Sequence, residues 1–578
     1  MKPFRWLSLS LLIFAFVQNS LHAADKKVTD AIPADVSVVV RLKAPKATIE
    51  KVASFVDMVQ PGFGGQVRQN APAIGLAISN PTLAGVDMTG DWYVAVFLSA
   101  EDPEPTVAFL IPATDAKAMK DGLGDGMHFV KHDKWGVYSE NEETIATIKT
   151  VISGKKEHLD PDHADAKAAA SLFEQGDLSV YVNLEQIVDE YKEHLSQAKV
   201  QLSQVLENAP DSAPNVPGLN PQALAKAAGK VVEQALAVVD ESEALVVALS
   251  VSKQGIVIEE YLQFAKDGVA DKFLKSSQTS AMPTLTSLPG KQAMYFGVSC
   301  DFASFAKWGT DLIGMAYSGD DKNVKEIAAA VADIGKLKFG PVVSSIGIGE
   351  GADGVLRGVT VAEVSDPQKL RSIGRKMTEL SGSIQTPGVK QTVEYKADAE
   401  KYGANSADLT RVKQEFEAAG DPGAEIALRF VKLMYGADGM TTRSVYLKDR
   451  VVSTVGGGKE EMTAALAASK GGSSEAGSKP LQAARSQHGS KTNLLAFVDL
   501  PNLIIGAIRV AADGGVLPIP IEKTALEGLQ IEESYLGFSV GSEPGAVRIK
   551  TNIPTEQVKG LAKIAMFAVA LQMQGRQN

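Results

Sequence analysis

The stretch Asp177-Leu178-Ser179-Val180-Tyr181-Val182-Asn183-Leu184 reads as a β-strand that turns directly into a helix. The same unit stands earlier as Asp35-Val36-Ser37-Val38-Val39-Val40-Arg41-Leu42. It returns, more loosely, as Gln292-Ala293-Met294-Tyr295-Phe296-Gly297-Val298 and as Asn493-Leu494-Leu495-Ala496-Phe497-Val498-Asp499-Leu500. In the earlier copy Val36, Val38, Val40 and Leu42 share one strand face, because successive side chains alternate. Val39 is apolar on the other face, which predicts a central strand buried on both sides.

Self-similarity of this kind decides how a long chain is built. Pro33–Lys43 aligns with Pro289–Ser299 without gaps, at an offset of 289 − 33 = 256. Ala113-Thr114-Asp115 matches Val364-Ser365-Asp366 at 251, Asp133 matches Asp449 and Leu184 matches Leu500 at 316, and Gly255 matches Gly545 at 290. The sequence therefore predicts two versions of one domain, 24–285 and 286–578, after a leader at 1–23. The changing offset places an insert of about 60 residues near 381–440 in the second half, as loop-and-element additions between recurring units do. A longer helical segment, a hairpin of helices near 184–240, lies in the first half. Each half divides again into strand–helix units followed by hairpins: 92–98 with 106–111, 245–251 with 256–264, 343–348 with 355–361, and 535–540 with 546–553. Their turns carry Gly, Pro, Asp and Glu, as in Glu543-Pro544-Gly545, which suit turn dihedrals. Helices follow at 115–123, 269–276, 366–380 and 555–571, with Asp115, Asp366 and Thr555 placed to cap them. Hairpin strands pair antiparallel and the helices must cover a sheet face. The expected class is α+β: two tandem similar domains, each an antiparallel sheet packed with helices, built from four strand-helix-hairpin-helix units.

At 578 residues the chain exceeds one ordinary core. Hydrophobic residues are 45%, charged residues 22%, and the formal charge is −11, the composition of a folded protein that phosphate backbones would repel. Nucleic acid is excluded as a partner on that ground. Lys2 and Arg5, then the apolar run Trp6–Val17, then Leu21-His22-Ala23-Ala24 read as an export signal cleaved after Ala23. The mature protein is thus expected to be periplasmic or extracellular. The final apolar helix, 558–573, is interrupted by Lys563 and too short to span, so no transmembrane segment is expected in the mature chain. One Cys, Cys300, cannot form an internal disulfide; it reads as a small buried hydrophobe.

Candidate chemistry is sparse. Gly349-Glu350-Gly351-Ala352-Asp353-Gly354 has a dinucleotide-loop glycine pattern, but a strand follows where a helix is needed; it reads as a hairpin turn. Gly456-Gly457-Gly458-Lys459 lacks the Gly and Ser/Thr of a phosphate loop, with Ser453 and Glu460 in their places. It reads as a turn into a helix. His158, Asp160, Asp162, His163 and Asp165 form the densest set of possible metal ligands. Their spacing fits neither a calcium loop nor a helical zinc pair, so the stretch reads as a solvated acidic loop, with metal binding as the alternative. His128 and His132 fall on one strand face without a third ligand and read as surface or edge-strand residues. His194 and His488 have no triad context. No Gly-x-Ser-x-Gly, His-Glu-x-x-His or CxxC occurs. Neither a cofactor nor a catalytic residue is assigned, and the chain is read as no enzyme.

The export signal, the Pro-Ala-Asp-Val-Ser-Val-Val-Val start at Pro33 and the duplicated strand–helix–hairpin layout resemble a family of large secreted bacterial proteins. It is frequent in planctomycete-type bacteria and made of domains of unknown function. The resemblance covers most of the mature chain and implies no activity and no site residues. The function expected is that of an exported, non-catalytic binding or envelope-associated structural protein, with an unknown protein or an apolar ligand as partner. Two alternatives stand beside it: a periplasmic carrier of a lipid or other apolar ligand, and a metal-dependent enzyme using the 158–165 cluster.

Overall fold

The computed structural model describes residues 28–159, 167–207, 221–316, 322–349, 354–381, 389–416, 422–470, 478–513 and 523–575. The expected export signal and the sequence stretches 208–220, rich in Pro, Asn and Ser, and 471–477, rich in Gly and Ser, lie outside these residues. Helices and strands are mixed, and every strand pairing described is antiparallel. The chain forms two compact units. The first takes residues up to Leu202, Gln234–Lys275 and Glu543–Ala562; the second takes Ser203–Glu233, Ser276–Ser542 and the residues from Lys563.

The first unit contains β1 (Val38–Leu42), β2 (Trp92–Phe97), β3 (Thr106–Pro112), β4 (His128–His132), β5 (Trp135–Ser139), β6 (Leu178–Asn183), β7 (Ser242–Ser252) and β8 (Gly255–Phe264). Their pairing runs β4-β5-β3-β2-β1-β6-β7-β8. β1 is central, as its two apolar faces require. Leu42, Trp92, Ile111, Tyr138 and Leu178 bury one face against Val52 and Phe55 of the helix Pro45–Val59 and Met119 of the helix Ala116–Asp121. Val39, Ala95, Ala108, Leu110 and Val137 bury the other against Ile145 and Ile148 of the helix Glu142–Ile152. Each fully enclosed side chain of this size stabilises by roughly 1.5–3 kcal/mol over its exposed state.

The second unit contains β9 (Met294–Val298), β10 (Phe339–Ile348), β11 (Leu356–Val364), β12 (Val389–Tyr402), β13 (Asn405–Phe416), β14 (Met440–Tyr446), β15 (Arg450–Val455), β16 (Leu494–Val498) and β17 (Leu536–Glu543). Pairing runs β12-β13-β14-β15-β11-β10-β9-β16-β17. Tyr295, Val343, Val361, Val452, Leu495 and Phe497 close one face against Met462, Ala465 and Leu466 of the helix Gly458–Ser469. The last strand, β18 (Ala546–Pro554), belongs to the first unit and pairs with β8.

The same register recurs in both units. On β1, Val38 faces Val182 and Leu42 faces Leu178; on β9, Met294 faces Val498 and Val298 faces Leu494. The offsets are 256 on the first strand (294 − 38, 298 − 42) and 316 on the second (498 − 182, 494 − 178). The caps correspond too. Asn183 Oδ1 accepts from the backbone N–H of Gln186 (3.1 Å), and Asp499 Oδ1 accepts from that of Asn502 (3.3 Å).

Within 381–440 the described residues include the β12–β13 hairpin and the helix Pro422–Tyr435. Helices Leu184–Glu190, Lys192–Glu207 and Pro221–Asp240 occupy the 184–240 segment, where Lys199 Nζ meets Asp240 Oδ2 at 2.6 Å. Thr555 and Cys300 depart from expectation. Asp115 and Asp366 cap their helices, but the Thr555 hydroxyl instead donates to the Lys253 carbonyl (2.8 Å). Cys300 is half-buried, because it follows the end of β9; burial, then Asp301, push its thiol up. His128 and His132 lie on the edge strand β4, as one of the two expected placements has it, and His132 is buried there opposite Trp135.

Candidate functional site

The 3-10 turn Pro283–Ser287, the β14–β15 turn at Leu447–Arg450 and the end of the helix Gly458–Ser469 come together in the second unit. Leu285, buried in the core, anchors the first of these. The β14–β15 turn closes through the Leu447 N–H on the Arg450 carbonyl (2.9 Å). The helix is launched by Gly456, Gly457 and Gly458, which hold φ of 68°, 66° and 62°. Three successive left-handed residues admit little but glycine, so the triple-glycine motif is a turn, and it lies at the far end of the helix from the cavity. Between the three segments lies an open cavity of about 590 Å³.

It is lined by Pro283, Thr284, Ser287, Leu447, Ala468 and Ser469, and by the charged residues Lys448, Asp449, Arg450 and Lys470. Arg450 is committed. Its Nε and Nη2 meet Asp449 at 2.9 and 3.1 Å, and its Nη1 donates to the Ser469 carbonyl at 2.7 Å. That last bond satisfies a helix C-terminal carbonyl where a cation is favoured. The bond to Asp449 keeps the Arg450 guanidinium above its ordinary range and the Asp449 carboxyl below its own. Lys448 and Lys470 are exposed, and neither has an ion-pair partner among the described residues. The site therefore presents two lysines beside a closed ion pair: it can hold negative charge.

A second polar constellation sits on the 389–416 hairpin. Asp408, buried, accepts from Arg371 Nε (2.7 Å), Arg371 Nη2, the Tyr395 hydroxyl and the backbone N–H of Asp398 (3.0 Å). Burial alone would raise the Asp408 carboxyl, but the bonds from Arg371 and Tyr395 prevail and hold it below the usual range. Arg371 also meets Asp398 (3.1 Å) and lies 5.6 Å over the Tyr446 ring. Every acceptor site of that carboxylate is occupied, so the cluster fastens the hairpin to the helix Pro367–Ser381 rather than offering a reactive group.

Of the possible metal ligands, Asp160, Asp162, His163 and Asp165 lie outside the described residues. His158 makes a bridge to Pro33, with Nε2 3.9 Å from Asp30 Oδ1. Among the described residues no group of three or more His, Cys, Asp or Glu is placed to hold a metal ion. His128 and His132 are the ends of β4. His488 is buried, with Nδ1 2.8 Å from Ser539 Oγ and its ring edge-on to Phe497. His194 lies 6.0 Å from the Tyr191 ring. β10 and β11 pair as far as Ile348 and Leu356; of the glycine-patterned stretch between them, residues 350–353 lie outside the described set. No sequence motif marks the cavity. Its residues are scattered over 283–470, and only the packing of a buried leucine and a helix end brings them together.

Among the described residues no helix is long and apolar enough to cross a membrane. No family model and no curated protein matches the chain. A solved structure, described as crystal form III of TP0453, matches with 9% identity over 44% of this chain and 90% of its own, at a TM-score of 0.20. A likeness at that level decides neither fold nor activity.

Proposed function

We propose that the chain is an exported, non-catalytic binding protein made of two copies of one α+β domain, and that the cavity of the second unit takes an acidic segment of a protein partner. The observation that carries this reading is what recurs and what does not. The pairing around β1 and β9 repeats residue for residue, and so do the helix caps at Asn183 and Asp499. The charged clusters do not repeat: Arg41, which binds Asp91, stands where the other unit has Gly297. A scaffold has been copied, not a reactive site, and the resemblance to large secreted bacterial proteins fits that picture. On a chain of formal charge −11, a cavity lined by Lys448 and Lys470 is a local reversal of sign, which favours encounter with acidic partners.

The lipid-carrier reading is less well supported, because the interior is full where it can be gauged. A methyl group on Gly297 would come within 2.6 Å of Met282 Sδ, and one on Gly136 within 2.3 Å of Met119 Sδ. The test uses the intact exported chain with a fluorescent poly-glutamate peptide as probe. Binding that weakens with salt and is lost in the Lys448→Glu/Lys470→Glu variant is expected. Binding indifferent to both substitutions, or a lipid released in stoichiometric amount on solvent extraction and seen by mass spectrometry, would overturn the proposal.

A further inference from the structure

Asp177 stands at the head of β6, where the ends of β1 and β7 meet it. Its N–H donates to the Leu249 carbonyl (2.7 Å), its carbonyl accepts from the Lys43 N–H (3.0 Å), and its Oδ2 accepts from the Val251 N–H (2.8 Å). Asn493 stands at the head of β16 in the same bonds. Its N–H donates to the Val540 carbonyl (2.8 Å), its carbonyl accepts from the Ser299 N–H (2.7 Å), and its Oδ1 accepts from the Ser542 N–H (2.7 Å). The two side chains have the same shape and differ in one atom. On Asn493 that atom is Nδ2, which donates to the carbonyls of Ser299 (3.3 Å) and Gln278 (3.1 Å). On Asp177 it is Oδ1, which is enclosed and has no hydrogen-bond partner.

An ionised carboxylate only accepts, and one with an oxygen sealed from donors bears the full cost of desolvation. A carboxylic acid can donate, as the amide does, to the strand-end carbonyl; the counterpart of Ser299 is Lys43. We propose that Asp177 keeps its proton in the folded protein and uses it as the amide of Asn493 is used, a latch across the ends of β1, β6 and β7 that is released as the solution turns alkaline. The residue is 0% exposed. The charged groups facing it are Lys51 of the helix Pro45–Val59, and Lys43 and Arg41 at the end of β1. β7 contributes the Val251 N–H. Arg41 is engaged by Asp91 and by the carbonyls of Phe173, Glu174 and Gly176. Burial dominates over these cations and pushes the Asp177 carboxyl up to about 7.

A carboxyl raised in the folded state gives stability that is complete below its unfolded value, near 4, and is lost as pH rises through about 7. Across that window the unfolding equilibrium of the intact chain should move toward the unfolded state by up to about a thousandfold, tenfold per pH unit. Asp177→Asn should remove this drift while matching wild type near pH 4. Independently of folding yield, infrared difference spectra of the native chain should show a protonated-carboxyl C=O band at pH 5 that fades by pH 9 and is missing in Asp177→Asn. A carboxylate band from Asp177 at pH 5, or a drift unchanged in Asp177→Asn, would overturn the latch. Asn493→Asp tests the two-copy reading separately. A second pH-dependent loss is expected; its absence with the Asp177 result intact would remove the equivalence of the units and leave the latch standing.

Discussion

Removing the Asp408 carboxylate should loosen the 389–416 hairpin more than any other single truncation on it. Four donors converge on this buried side chain, two of them from one guanidinium. Breaking a buried ion pair costs about 3–5 kcal/mol when the other charge is left behind. The Arg371 side chain is 26% exposed, so water recovers part of its solvation, and Asp408→Ala should cost about 2–4 kcal/mol. The loss belongs to the hairpin and the 367–381 helix, so hydrogen exchange should speed up in peptides from 389–416 before the core strands β9 and β16 respond. A double-mutant cycle with Arg371→Met isolates the pair. A coupling of about 1–3 kcal/mol is expected for contacting members of one network. Additive effects, with a coupling below about 0.5 kcal/mol, would refute the claim that this pair fastens the hairpin. The pH dependence follows from the depressed carboxyl. Its contribution is complete above the unfolded value near 4 and is lost as pH falls through the lower folded value.

Arg41→Met should cost about 2–4 kcal/mol, because it uncovers three carbonyls at the end of the helix Lys167–Gln175 and takes the cation from Asp91, which is 29% exposed and keeps the Ala44 N–H; denaturant midpoints measure it, and a loss under about 1 kcal/mol would contradict the assignment. Gly136→Ala should cost about 1–3 kcal/mol from overpacking against Met119, and its sum with Met119→Ala should exceed the cost of the double variant, since the second substitution removes the sulfur that clashes.

The strand-to-helix stretches were readable because each carries a short run of apolar residues set for both strand faces; a capping Asn or Asp opens the helix after β6 and β16, but after β1 the cap is Ala44, without a side-chain bond. The recurring apolar run locates β1, β6, β9 and β16. The hairpins are located by their turns, which need Gly, Pro and Asp for their dihedrals. The cavity was not readable, because nothing in Pro283, Lys448 or Lys470 declares a common site; they meet only through the register of β14 with β15 and the length of the 458–469 helix. Nor was the Asp408 cluster, whose Arg371 and Tyr395 lie on different elements. The position that best shows the limit is 177. As a letter, its Asp looks like one more polar residue before a strand. Only the bonds around Asn493 reveal that the corner was built for a donor. The two buried acids then oppose each other: Asp408 loses its hold when protonated, and Asp177 when ionised. Acid should therefore open the second unit's hairpin first, and alkali the first unit's strand corner. If hydrogen exchange at pH 3.5 and at pH 8.5 both mapped to the hairpin, the charge state assigned to Asp177 would be wrong; if both mapped to the strand corner, that assigned to Asp408 would be.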